Sequence, residues 1–115
     1  MIEDDDIVRE TIKLLLEYRG FEVSTSATGL DVFSKIEKNK PHLILTDIFL
    51  GETDGREICM SVKTNPRTNN IPIIIMSGSS SEIYNTISTV GANDVVLKPF
   101  DEHTLLNRVQ RQLSA

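Results

Sequence analysis

Two patterns of hydrophobic and polar residues alternate along the chain. Short apolar runs predict strands, and apolar residues that recur every three or four positions predict amphipathic helices. The central run is 43–45, three apolar residues that lead through Thr46 to Asp47 and then into a loop. Because a half-buried strand would alternate apolar and polar residues, this run predicts a strand covered on both faces.

Five stretches have the apolar spacing of a helix, and each begins near a residue suited to a first turn or a cap. The acids Asp5 and Asp6 lie at the start of the first stretch, where the helix dipole favours negative charge. Gly20 and Gly91 are typical of the residue that follows a helix, and they close the first and fourth stretches. The predicted helices begin at or near these positions: Ile7, Thr28, Asp54, Ser79 and Asp101.

Five strands separate these helices, and the first of them is short because only two residues precede an acidic run. The predicted strands are 1–2, 21–24, 43–45, 71–76 and 95–97. Strand and helix therefore alternate five times. This order predicts an α/β fold, doubly wound, with parallel strands joined by right-handed crossovers and helices on both faces of one sheet.

Composition narrows the class of protein. The 115 residues, 39% hydrophobic and 25% charged, are typical of one globular domain. The longest apolar run, 73–76, is far too short for a membrane span or a signal peptide, so we expect a cytoplasmic protein with no membrane partner. A net charge of -5 disfavours direct nucleic-acid binding. Cys59 has no partner for a disulfide or a zinc site and is expected to pack as a small hydrophobe, and His42 and His103 are expected at the surface or at strand ends.

Polar side chains follow four of the five predicted strands. Glu3 and Asp4 follow the first, Asp47 the third, Ser77 the fourth and Lys98 the fifth. The carboxyl ends of parallel strands share one edge of a sheet, and that edge is where ligands bind in such folds. We therefore expect these five residues to lie together, although Asp47 alone could equally be a turn residue that ends its strand.

The residue types at this edge suit phosphoryl transfer. Three carboxylates close together repel one another unless a cation compensates them, and Mg²⁺ bound by oxygen ligands is the natural compensation. Lys98 and Ser77 offer an ammonium group and a hydroxyl to phosphoryl oxygens. With its charge neutralised, Asp47 can act as a nucleophile and form an aspartyl phosphate.

At this point the chain resembles the receiver domain of two-component response regulators over nearly its whole length. The segments that carry the resemblance are 3–10, 43–55, 73–78 and 91–100, in the right order and at the right distances. The resemblance implies one receiver domain over 1–115 with a truncated first strand. It also implies a flavodoxin-like, five-stranded parallel sheet with strand order 2-1-3-4-5 and five helices.

The resemblance also implies roles for the site residues. Asp47 is the phosphoacceptor, Ser77 the switch hydroxyl and Lys98 the cation that pairs with the phosphoryl group. The Mg²⁺ ligands are the carboxylates of Glu3, Asp4 and Asp47 and the backbone carbonyl of Phe49, with Asp4 a more direct ligand than Glu3. The Lys98-Pro99 bond is expected to be cis, which turns the lysine side chain into the site.

Such a domain is a signalling module that catalyses only its own phosphorylation and dephosphorylation. Its expected partners are a sensor histidine kinase or a histidine phosphotransfer protein, a downstream effector domain or protein, and a second copy of the chain after phosphorylation. Three features depart from the family pattern. The first strand is truncated, Gly51 replaces a usual proline, and Val95 replaces a usual aromatic switch residue. Since Val95 has no ring to rotate, we expect activation to act on the helix 82–90 and the fifth strand.

Other classes of protein share parts of this pattern. A haloacid-dehalogenase-like phosphatase would carry a second aspartate where Phe49 stands. A flavodoxin-like FMN module would place its phosphate loop after the first strand, whereas the candidate loop 24–29 follows the second. An interaction module that is never phosphorylated is disfavoured because the acceptor, the acids and the lysine are all present.

Overall fold

A computed structural model of the chain describes residues 1–3, 5–28, 31–50, 53–78 and 91–114. Within these residues there are four helices and five strands. The helices are α1 (Asp6–Tyr18), α2 (Val32–Asn39), α3 (Gly55–Thr64) and α4 (Glu102–Ser114). The strands are β1 (Ile44–Asp47), β2 (Phe49–Leu50), β3 (Thr53–Asp54), β4 (Ile73–Ser77) and β5 (Asp94–Leu97).

The main sheet is parallel and has the order β1-β4-β5. On the other side of β1, Ile2 forms parallel bridges with both Thr46 and Ser26. Across the sheet, the chain segments therefore follow the order second, first, third, fourth, fifth. The predicted doubly wound α/β fold and its strand order are confirmed, while β2 and β3 add a short antiparallel hairpin after the central strand.

The first two strands are shorter than predicted. Residues 21–24 do not form a regular strand, and the bridge of this segment lies at Ser26. The Met1 amino group donates to the Ser24 carbonyl at 2.7 Å. Ser26 N–H donates to the Met1 carbonyl at 2.9 Å, and Glu3 N–H donates to the Ser26 carbonyl at 3.0 Å.

Several helix ends follow the predicted caps, whereas Asp5, expected to be a first-turn acid, instead caps α1, which begins at Asp6. The Asp5 carboxylate accepts from Ile7 N–H and Val8 N–H at the start of α1, and the Asp101 carboxylate accepts from Thr104 N–H at the start of α4. Gly20, just beyond α1, has the positive φ of 95° that suits a residue following a helix. The helix predicted from Ser79, including the proposed output region 82–90, lies outside the described residues.

The prediction that Thr28 caps the second helix is wrong, because α2 begins at Val32 after Asp31. The Ser26 hydroxyl lies 2.6 Å from both the Thr28 carbonyl and the Asp31 carboxylate. These contacts join Thr28 and Asp31 to a residue that lies before the helix. A capping residue in the sequence could not show this, since Ser, Thr and Asp side chains also stabilise turns.

The core lies on both faces of the sheet, as a doubly wound fold requires. Along β4, Ile73 and Ile75 pack into one cluster, and Ile74 and Met76 pack into the other. Helices α2 and α3 cover the first face, and helices α1 and α4 cover the second. Cys59 is fully buried, as predicted. None of the described helices is long and apolar enough to cross a membrane.

Helix α3 offers a matched test of this packing. Ile58 is 2% exposed in the core, whereas Met60 on the same helix is 45% exposed. Ile58→Ala should lower the free energy of unfolding by about 2–5 kcal/mol, because it removes buried apolar contacts and leaves a cavity. Met60→Ala should change it by less than about 0.5 kcal/mol. Urea unfolding followed by circular dichroism measures both, and equal losses would contradict the assignment of the core face.

Candidate functional site

The predicted site residues come together at the carboxyl edge of the sheet. Strand β1 ends at Asp47 and β4 ends at Ser77, while Lys98 directly follows β5. The parallel register pairs Asp47 with Met76, and Ser77 with Leu97, so these strands end at the same level. Glu3 follows the bridge at Ile2 and joins them from the neighbouring segment.

Lys98 binds two of the predicted carboxylates at once. Its Nζ lies 2.8 Å from Asp47 Oδ2 and 2.9 Å from Glu3 Oε2. The side chains of Glu3, Asp47 and Lys98 are 1%, 14% and 25% exposed, so the lysine reaches the solvent edge while the acids lie beneath it. The Lys98-Pro99 bond is cis, as predicted.

Burial governs the electrostatics of this cluster. The pKa of Glu3 is raised from its ordinary value, first because burial disfavours the carboxylate and further because Asp47 repels it; the Lys98 ammonium only partly opposes this. Burial would lower the pKa of Lys98, yet its hydrogen bonds with Asp47 and Glu3 outweigh burial and raise that pKa. The lysine is therefore held firmly in its charged form.

Backbone hydrogen bonds fix the other groups of the site. Asp47 Oδ1 accepts from the N–H of Ile48 at 2.8 Å, which leaves Oδ2 facing Lys98. Ser77 is 1% exposed, and its carbonyl accepts from Lys98 N–H at 2.6 Å, so the serine and the lysine are joined through the main chain. Phe49 lies in β2 and pairs with Asp54. Asp4 lies outside the described residues.

Two residues near the site were missed by the sequence analysis. Gly55 opens α3 so close to the central strand that an added Cβ would clash with the Asp47 carbonyl oxygen. Arg9 donates from Nη1 to the Glu3 carbonyl at 3.0 Å. The Asp54-Gly55 pair and the spacing of three residues from Asp6 to Arg9 were visible signals, but neither one revealed a contact with the site.

The oxygen atoms at this edge fit a hard divalent cation. Two carboxylates share a single ammonium group, which leaves a net negative charge when both are ionised. Carboxylate and carbonyl oxygens are the ligands that Mg²⁺ prefers. Among the described residues, which exclude Asp4, no three carboxylate, imidazole or thiol side chains lie close enough together to hold a metal ion.

Comparison with known proteins gives the same family as the sequence motifs. The sequence profile of the response regulator receiver domain matches residues 1–110. Among curated proteins, the transcriptional regulatory protein AfsQ1 of Streptomyces coelicolor is 33% identical over 98% of this chain and 49% of its own length. The phosphate regulon transcriptional regulatory protein PhoB of Rhizobium meliloti is 32% identical over 98% of this chain and 50% of its own length. The chain thus spans about half the length of these relatives.

Solved structures agree at the level of the fold. The BeF3-activated N-terminal receiver domain of RstA from Klebsiella pneumoniae has a TM-score of 0.89 at 27% identity, covering 99% of this chain and 96% of that one. A CheY-like response regulator receiver domain protein from Methanospirillum hungatei has a TM-score of 0.88 at 27% identity, covering 98% of this chain and 90% of that one.

The raised pKa of Glu3 predicts how stability depends on pH. The folded chain binds a proton at Glu3 more tightly than the unfolded chain, so this preference stabilises the fold below the ordinary pKa of 4.5 and is lost as pH rises through the folded pKa. Glu3→Gln should therefore raise the melting temperature at pH 7, and the gain should shrink as pH falls through the folded pKa of Glu3 towards 4.5. The exposed Glu10→Gln is the matched control. A Glu3→Gln variant that melts lower than wild type at pH 7 would contradict this.

The close approach of Gly55 predicts a steric effect at the site. Gly55→Ala should displace the Asp47 carbonyl and destabilise the chain by about 1–3 kcal/mol, the usual cost of overpacking. Gly78→Ala is the control, because a Cβ there meets no heavy atom of the described residues within 4 Å. Thermal unfolding measures the stabilities, and amide chemical shifts of Asp47 and Ile48 report the displacement. Unchanged shifts in Gly55→Ala would show that the turn has room for a methyl group.

Proposed function

The chain belongs to the response regulator receiver domain family of two-component systems, and we propose that Asp47 is the residue on which it accepts a phosphoryl group. The observation that carries this proposal is the double contact of Lys98 with Asp47 and Glu3. A nucleophilic carboxylate, a neighbouring acid and a fixed cation at one sheet edge are what transfer to aspartate requires.

Transfer begins with Asp47, whose carboxylate oxygen attacks the phosphorus of the donor. The bond between phosphorus and the donor's imidazole nitrogen breaks, and the imidazole leaves with that electron pair and keeps or takes up a proton. The product is an acyl phosphate on Asp47. Lys98 Nζ, 2.8 Å from Asp47 Oδ2, is placed to donate to a phosphoryl oxygen on that carboxylate. The Ser77 hydroxyl is proposed to bind another phosphoryl oxygen.

The metal ligands are the carboxylates of Glu3, Asp4 and Asp47 and the backbone carbonyl of Phe49. When bound, Mg²⁺ neutralises negative charge on the phosphoryl oxygens and the carboxylates. Glu3 serves this role from a buried position in which Lys98 and the Asp5 N–H, 3.3 Å from Oε1, already orient its carboxylate.

The wider biological role follows from the family. We propose that the donor is a sensor histidine kinase or a histidine phosphotransfer protein in the cytoplasm. The output passes to an effector domain or protein, and phosphorylation favours a homodimer. The domain acts on itself only, so it is a signalling module and its catalysis is limited to its own phosphorylation and dephosphorylation. Binding of FMN and a phosphatase reaction on external substrates are disfavoured by the receiver-type motifs.

The decisive experiment is phosphorylation by a small donor. With acetyl phosphate and Mg²⁺, intact mass spectrometry should show the gain of one phosphoryl group, which hydroxylamine removes as expected of an acyl phosphate. Asp47→Asn should abolish the gain. Asp101→Asn, which changes an aspartate that caps α4, should react like wild type. An unmodified wild type under conditions that phosphorylate another receiver domain would favour the module that is never phosphorylated.

A further inference from the structure

Arg9 is a cation beside the acidic edge that the chemistry described above does not use. Among the described residues, two side chains bond to Glu3. Lys98 binds its carboxylate, and Arg9 Nη1 donates to its backbone carbonyl at 3.0 Å. The second Arg9 nitrogen, Nη2, pairs with the Asp6 carboxylate. The Arg9 side chain is 20% exposed, and its contact with the Glu3 carbonyl is partly buried, whereas the Asp6 side chain is 84% exposed.

The contact acts on the backbone of Glu3, one of the proposed metal ligands. The hydrogen bond from Arg9 to the Glu3 carbonyl holds this backbone group against α1. On the other side, Asp5 is fixed because its carboxylate accepts from Ile7 N–H at 2.9 Å and from Val8 N–H at 3.1 Å. Both neighbours of Asp4 are therefore anchored to α1.

We propose that Arg9 is a positioning residue for Glu3, whose backbone it holds against α1, and that it thereby strengthens Mg²⁺ binding. The inference rests on the proposed function, since it concerns the metal of that same site. Arginine suits this task better than lysine, because its planar fork donates in two fixed directions at once, here to Glu3 and to Asp6.

A positioning role and a purely electrostatic role for Arg9 lead to opposite changes in Mg²⁺ affinity when Arg9 is removed. A guanidinium near a cation site repels the cation, so its removal should tighten Mg²⁺ binding if Arg9 acted only through its charge. If Arg9 positions Glu3, its removal should weaken Mg²⁺ binding. Groups that orient metal ligands typically contribute about tenfold or more in affinity.

The test is a Mg²⁺ titration of the whole chain followed by amide chemical shifts at fixed pH and ionic strength. Arg9→Gln should bind Mg²⁺ about tenfold more weakly than wild type. Arg9→Lys keeps the charge but not the fork and should fall between the two, a change that a purely electrostatic role does not produce. Lys13→Gln removes a cation one turn further along α1 that has no hydrogen bond to Glu3, and it should bind as wild type or slightly tighter.

Melting temperatures and metal-free spectra of each variant separate loss of binding from loss of fold. If Arg9→Gln unfolds, Arg9→Lys alone decides the matter, and wild-type affinity in that variant overturns the proposal. Equal or tighter binding by Arg9→Gln overturns it as well while leaving the proposed function intact. A wild type whose spectrum does not respond to Mg²⁺ would instead remove the metal from the proposed function, and this inference with it.

Discussion

The contact of one ammonium group with two carboxylates is the interaction on which the site depends. Each of these ions loses water when the chain folds, and such losses cost several kcal/mol per ion unless close partners offset them. Lys98 offsets them for Glu3 and Asp47 at 2.9 Å and 2.8 Å, but two negative charges against one positive charge leave the balance incomplete. Burial, and then repulsion from Asp47, therefore keeps the pKa of Glu3 above its ordinary value.

The apolar core stabilises the fold and fixes the positions of the strands that carry the site residues. All five residues of β4 are buried, and its apolar side chains alternate between the two clusters that pack against the helices. A strand fixed on both faces cannot slide without moving every side chain to the wrong layer. The ends of β1, β4 and β5 therefore stay level, and the distances between Asp47, Ser77 and Lys98 follow from packing far from the site.

Close backbone contacts also fix the residues at the carboxyl edge of the sheet. The start of α3 passes so near the Asp47 carbonyl that only glycine fits at position 55. The carbonyl of Ser77 accepts from Lys98 N–H, which links two site residues on neighbouring strands. A displacement of Ser77 should therefore also move Lys98. Val95 lies in the core at 7% exposure and has no ring to rotate. It therefore cannot act as the aromatic switch residue that is usual for the family.

Local pattern determined much of this protein by itself. Alternating strands and helices specify parallel strands, and parallel strands place Asp47, Ser77 and Lys98 at one edge, because their carboxyl ends share it. The cap at Asp101 also follows from neighbouring residues alone. Tertiary structure decided the rest. Lys98 meets carboxylates 51 and 95 positions earlier in the chain, and no local spacing specifies which oxygens it reaches. The late start of α2, the Arg9 contact and the narrow gap at Gly55 likewise depend on how separate segments pack, which the sequence encodes only through the folded chain.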